Sequence, residues 1–387
     1  MTSKMMTRRE SLRTGLAATG LLSMLPGWEI PALAQGEVDV PFTDYPANYN
    51  PNNPNSTTRM FDLRKISGHV VPKDQFFAIQ HFNRPDVNGA TFRLKISGMV
   101  GKPAELSLAD LKAMKSVDVM AGYECSGNSP RSMQGLSSSG KWTGVRLSDV
   151  LKKAEVHRDA REVVFFGTDR GTQEVVFRQN NFKLEQQFAR SMSLENAMKP
   201  EPILAYALNG DPLNREQGFP VRLLVPGWYG VANVKWLAEI HVQEDRFAGN
   251  YQARWYRTLK GEGADQAQWV ESEISRLRLK SVVARVTQKG GAHQILGFVL
   301  NDGTPLQSVE VQIDNGAWQK ATLDSANTKY GWKLFTYRWE GATPGEHTIV
   351  SRATDSKGRV QPTVAELANK KTFLEDNSQF PRKVKVG

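Results

Sequence analysis

Residues 117–128 read VDVMAGYECSGN. Val117, Val119, Ala121 and Tyr123 alternate with Asp118, Met120 and Gly122, the period of a strand with one packed face. The run passes directly into Glu124-Cys125-Ser126-Gly127-Asn128, where Ser, Gly and Asn favour a turn. Cys125 therefore stands just past a strand end, where loops carry chemistry. It is the only cysteine among 387 residues. A single cysteine excludes an intrachain disulfide, a Cys-rich zinc or iron–sulfur site built from one chain, and the Cys-x-x-Cys-His attachment of a c-type haem. Three roles remain: a small buried hydrophobe, a soft ligand for a soft or high-valent metal, or a nucleophile with a histidine base. Gly127 allows close backbone approach to a ligand.

Outward from this stretch, residues 91–96 predict a strand, and Ser107 caps a helix through Met114 with Asp110 three residues on. Ser148 is expected to cap a second helix to Ala154. Further strands are expected at 162–167, 174–177, 203–208, 221–225 and 234–242, with Asn209-Gly210-Asp211-Pro212 as a turn. Strands with a few short helices imply α+β, not a doubly wound sheet. Residues 45–58 are rich in Pro and Asn and read as an extended arm. The polar stretch 258–268 marks a junction. Beyond residue 275 the pattern changes to short strands at 281–287, 294–300, 309–314, 317–321, 332–339 and 347–353. Asn315-Gly316 supplies a hairpin turn between two of them. This is an immunoglobulin-like β-sandwich without the Cys–Trp–Cys core of antibody domains. The charged tail after Thr363 is expected to wrap the surface. The expected organisation is an export signal over 1–34, an arm over 35–60, an α+β domain over 61–268 and a sandwich over 275–387.

The N-terminus explains the first of these segments. Arg8 and Arg9 stand in TRRESLR (7–13), a mildly apolar stretch follows over 14–25, and Ala32-Leu33-Ala34 offers a small-x-small cleavage site. That is a twin-arginine export signal. It predicts a periplasmic address and cargo folded around a cofactor. Lys plus Arg is 50 against 40 for Asp plus Glu, a net charge of +10. The basic residues are spread along the chain rather than clustered, so no nucleic-acid partner is expected. No apolar run of about 18 residues exists, so no membrane span is expected.

The motifs together resemble the sulfite oxidase family of molybdopterin enzymes. They are Glu124-Cys125-Ser126-Gly127-Asn128, Trp142-Thr143-Gly144-Val145-Arg146-Leu147, Asn209-Gly210-Asp211-Pro212, the run from Gly218 to Gly227 (GFPVRLLVPG), and Val234-Lys235-Trp236-Leu237. The resemblance implies a molybdopterin-binding α+β domain followed by an immunoglobulin-like dimerisation domain. It implies molybdenum held by one pyranopterin and by Cys125, and oxygen-atom transfer at that metal. By position it assigns Gln80, His81, Asp169, Gln217, Arg222 and Lys235 to the cofactor, and Tyr256 to the active site. Ile79 departs from the family, most of whose sulfite-oxidising members carry an arginine there. Arg84 and Arg131 are the candidates to replace it, with at least one expected to face the metal. Gln217 stands where the family has histidine. The substrate expected is a small sulfur oxyanion, with sulfite first and a sulfane carrier or a sulfoxide as alternatives. With no haem in this chain, electrons are expected to pass to a separate periplasmic c-type cytochrome or an azurin-like copper protein. A homodimer is expected through the sandwich. Two other classes stay open: a cofactor-free periplasmic binding protein, and a hydrolase pairing Cys125 with His81.

Overall fold

The computed structural model describes residues 36–53, 56–262 and 268–387. The twin-arginine segment lies outside the described residues. The VDVMAGYE run forms the Ser116–Glu124 strand, paired antiparallel with Ser137–Arg146. These two are followed in sheet order by Ile203–Leu208 and Arg222–Leu224. A second sheet runs Ala104–Leu106, Leu94–Gly98, Leu237–Gln243, Glu162–Phe177, Asn180–Ser193, and only Leu94–Gly98 with Leu237–Gln243 is parallel. One continuous apolar core joins the two sheets. At its centre Phe76 meets Trp142 edge-on with ring centroids 5.4 Å apart.

Residues 162–177 form one strand rather than two, and 180–193, unassigned from sequence, pair with it as a long hairpin. Phe188, Arg190 and Met192 all point to one buried face. An arginine in the middle of that alternation hides it from a hydropathy reading. Ser107 caps the Leu108–Ala113 helix by accepting from Asp110 N–H, and the Asp110 carboxylate accepts in return from Ser107 N–H. Ser148 does not cap its helix. The helix is Leu147–Lys153, begins after Arg146, and holds Ser148 buried inside its first turn.

The C-terminal sandwich has one sheet of Val38–Asp39, Lys280–Lys289, Ala292–Leu300, Lys333–Trp339 and Thr322–Leu323. The other runs Gln319–Lys320, Leu306–Ile313, Gly345–Asp355, Arg382–Val386. Its hairpin turn falls on Asp314 and Asn315, both left-handed at φ 50° and 61°, one residue earlier than the Asn-Gly pair suggests. The tail is structural in part: Leu374 and Phe380 are buried and Arg382–Val386 completes a sheet. The arm also enters the sandwich, with Val38–Asp39 as an edge strand and Phe42 bridged to Val384. Residues 258–262 and 268 fall in the paired Arg257–Glu262 and Gln268–Glu273 strands, and 263–267 lie outside the described residues.

The sandwich is bound tightly to the cysteine strand. Gly122 N–H donates to the Tyr330 carbonyl at 2.8 Å. A Cβ at Gly122 would lie 3.1 Å from the Trp332 indole, so only glycine fits here without displacement. Trp332 is fully buried, stacks on Phe298 with centroids 4.4 Å apart, and donates to Ser137 Oγ.

Candidate active site

Below the strand end the chain turns sharply. Cys125 N–H donates to Leu136 O and Asn128 N–H to Cys125 O, both at 2.9 Å. Gly127 N–H points back at Cys125 Sγ from 3.4 Å. The sulfur faces a solvent-connected cavity whose lining also includes Phe77, Tyr123 and Trp236. Burial pushes the Cys125 thiol up to about 11. Without a metal it stays protonated at neutral pH, whereas a coordinated thiol loses its proton.

Eight of the ten side chains named from sequence line this cavity: Gln80, His81, Cys125, Asp169, Gln217, Arg222, Lys235 and Tyr256. Arg84 and Arg131 do not. The Arg84 guanidinium is taken by Glu216 at 2.8 Å and by the Thr57 carbonyl. Arg131 is exposed on the Pro130–Ser132 turn. Ile79 itself lines the opening and is 36% exposed.

His81 follows the buried Phe76–Phe77 pair, whose packing in the core fixes the entry of the segment. Its ring stacks on Tyr251 with centroids 4.4 Å apart, and Nε2 lies 2.6 Å from the Tyr256 phenol oxygen. Burial, helped by Lys235, holds His81 down at about 4. Burial and the neighbouring Cys125 push the Tyr256 phenol far above its ordinary value. Both are neutral at pH 7. His81 is thus bound to a phenol and not to Cys125, which is not how a thiolate–imidazolium nucleophile pair is built.

Two cations occupy another wall, Arg222 buried and Lys235 half-buried. Arg222 opens the Arg222–Leu224 strand and donates to the carbonyls of Gln217 at 3.1 Å and Asn233 at 2.9 Å. Its guanidinium also sits 5.1 Å from the Trp142 ring centroid. Lys235 Nζ donates to the carbonyls of Ile79 and Glu216, each at 3.1 Å. Burial first, then Arg222, holds Lys235 down at about 7. Cations held by neutral carbonyls and, for Arg222, the Tyr123 phenol are an arrangement that an anion completes. Acceptors lie nearby: Asp169 Oδ1 and Gln80 Oε1 are buried without a hydrogen-bond partner. Burial raises Asp169 to about 6. Gln217 gives its amide to Lys73 O at 2.7 Å and closes a cap with Asn214.

The cavity therefore fits a group with N–H donors at one part, an anion at another and a sulfur-seeking metal near Cys125. Among the described residues no cluster of three or more His, Cys, Asp or Glu forms. The site also uses residues that the sequence reading passed over. Phe188 and Tyr251 wall in His81. Glu216 holds Arg59 at 2.5 Å as well as Arg84. Arg190, 1% exposed, donates to the carbonyls of Tyr251 and Ile274, and Ile274 N–H donates to Tyr256 O. Glu216 could have been found from its place beside the GFPVR motif. Arg190 carried only the alternation noted above.

Comparison with known proteins agrees with this chemistry. Residues 81–251 match the oxidoreductase molybdopterin binding domain. Mitochondrial sulfite oxidase of Macaca fascicularis is 30% identical over 88% of this chain and 67% of its own length. Sulfite oxidase of Arabidopsis thaliana is 26% identical over 77% of this chain and 83% of its own. Against the mouse and rat enzymes the chain spans 60% of the relatives' length. Among solved structures, the sulfane dehydrogenase SoxCD from Paracoccus pantotrophus superposes with a TM-score of 0.72 at 22% identity, covering 90% of each chain.

Proposed function

This chain belongs to the sulfite oxidase family of molybdopterin oxidoreductases, and on that premise we propose that it oxidises sulfite to sulfate in the periplasm. Sulfite and water give sulfate, two protons and two electrons, and the electrons leave singly to a separate carrier, a c-type cytochrome or an azurin-like protein. The twin-arginine motif supports the location. One observation carries the reading: Cys125 Sγ, the Arg222 and Lys235 cations and the His81–Tyr256 pair all face one cavity.

In this reading Cys125 is the protein's ligand to molybdenum. Arg222 and Lys235 hold the pterin phosphate, and Asp169 Oδ1 and Gln80 Oε1 accept from pterin N–H groups. When bound, the group supplies oxygen-atom transfer and a two-electron reservoir. The chain's own share is binding, orientation and proton handling. The Tyr256 phenol holds a proton at the cavity wall, and His81 fixes the phenol's direction without charge. The sandwich pairs two chains.

A second reading, oxidation of a sulfane carrier, is supported by Ile79. That side chain puts an apolar surface at the mouth where a small dianion would need a cation. The test is molybdenum per chain, followed by turnover of sulfite and of persulfide compounds with an artificial acceptor. About one molybdenum per chain with sulfite turnover supports the first reading. Persulfide turnover alone supports the second. No molybdenum, in cells that make the cofactor, overturns both.

A further inference from the structure

The residues on both sides of Cys125 are held from the C-terminal third of the chain. Glu124 and Lys280 form an ion pair of 3.0 Å, each side chain 2% exposed. Lys280 Nζ also donates to Gln134 Oε1 at 3.2 Å, and Asn128 Nδ2 donates to the same Glu124 oxygen at 2.8 Å. On the other side, Glu375 N–H donates to Ser126 O at 2.6 Å.

Glu375 is buried with φ 57°, a left-handed conformation that a glutamate keeps only where its surroundings fix it. Its carboxylate does the fixing: Oε2 accepts from Thr258 Oγ1 at 2.7 Å, and Oε1 lies 3.5 Å from Arg278. Thr258 stands two residues beyond Tyr256 in the chain. One buried residue thus joins the two segments, its carboxylate bonded to the segment carrying the Tyr256 phenol and its backbone N–H to the loop carrying the Cys125 sulfur. Neither Lys280 nor Glu375 lines the cavity.

We propose that Lys280 and Glu375 are positioning residues that clamp the Cys125 loop from both flanks and set the direction of its sulfur. The inference rests on the reading of Cys125 as the metal ligand. A ligand held by a rigid outer shell stays bound and correctly aimed, and loosening that shell weakens it. The sandwich and tail would then be part of the active-site scaffold.

Cys125 is the only cysteine, so the mass shift from iodoacetamide reports this one thiol in the purified full chain. In the loaded parent the bound thiolate resists alkylation. Glu375→Ala and Lys280→Met should be alkylated about tenfold faster or more. Their thiolate-to-molybdenum absorption should shift, and kcat should fall with KM held within about twofold. Glu375→Gln keeps an acceptor for Thr258 and should behave as the parent. If Lys280→Met does not fold, E124Q/K280M, which leaves no unpaired buried charge, is measured in its place. Parent-like alkylation and absorption in both the Glu375→Ala and the Lys280 variants overturn the proposal. So does Glu375→Gln behaving like Glu375→Ala. A parent that lacks molybdenum and is alkylated freely instead removes the ligand reading, and the clamp with it.

Discussion

His81 Nε2 and the Tyr256 phenol oxygen lie 2.6 Å apart on the wall that also carries Cys125. Burial keeps both groups uncharged at pH 7, so the bond between them holds one proton without a net charge. Replacing the phenol removes the proton position and leaves the ring. Tyr256→Phe should lower kcat about 10²-fold, the lower range for a positioned proton donor. Molybdenum content should stay at the parent level. A kcat within threefold of the parent would show that the phenol takes no part.

Arg222 is 3% exposed and bonds to the carbonyls of Gln217 and Asn233 and to the Tyr123 phenol. In the proposed reading an anion from the cofactor is its further partner. Arg222→Met, close in length and uncharged, should cut molybdenum per chain while the apolar core stays intact. Cofactor binding to the folded chain alone also raises its stability by mass action. The loaded parent should therefore melt roughly 5 °C or more above the unloaded chain, and Arg222→Met should shrink that gap. Full loading of Arg222→Met would remove the phosphate role.

Trp332 joins the sandwich to the cysteine strand. It is fully buried against Phe61 and Phe298, and its indole N–H is satisfied by Ser137. Trp332→Ala leaves a cavity that the surrounding strands cannot close, at a cost of about 3–5 kcal/mol. Denaturant unfolding should show that loss as a lower midpoint at similar slope. A change below about 1 kcal/mol would mean that the sheets close over the gap.

Arg131 lies outside the cavity lining, on an exposed turn. Arg131→Ala should leave KM and kcat for an anionic substrate within about twofold, as for most surface changes. Arg84→Ala differs. It removes one of the two guanidiniums on Glu216, which lines the cavity and keeps Arg59, so it should weaken anion binding indirectly by leaving that carboxylate less neutralised. Substrate titration of both variants separates these outcomes, and a large KM rise in Arg131→Ala would place that residue at the site after all.

His347 gives a pH signature far from the cavity. Its Nδ1 faces Asp314 Oδ2 at 2.5 Å and its Nε2 faces the Thr343 carbonyl at 2.7 Å. Both partners are acceptors, so only the doubly protonated ring satisfies them, and its pKa rises above 6.5, chiefly through Asp314. A raised folded-state pKa gives stability that is full below the unfolded value and lost as pH climbs through the folded one. The urea midpoint should fall between about pH 6 and pH 8 in the parent and much less in His347→Gln. Parallel pH profiles would refute the assignment.

Much of this was readable in the chain. Alternation from Val117 to Tyr123, followed by turn residues, located the cysteine loop, and regular short strands located the sandwich. Eight lining residues followed from motif position. What stayed hidden depends on long-range pairing. Arg190 looks like a surface residue until its carbonyl partners from Tyr251 and Ile274 are seen. Lys280 and Glu375 lie 155 and 250 residues from Cys125 in the chain, and no local pattern marks them as its neighbours. Arg84 looked free for substrate because nothing in its own segment shows that Glu216 holds it.

The edge strand Val38–Asp39 has a consequence in time. It pairs with Lys280–Lys289, and Phe42 meets Val384, so the earliest described residues complete their contacts with the latest. At ribosomal speeds of about 5–20 residues per second, those partners emerge roughly ten to seventy seconds later. For that interval the strand and its phenylalanine remain open to chaperones and proteases. The sandwich can close only after synthesis is nearly finished, and a nascent chain halted short of it carries an unprotected beginning.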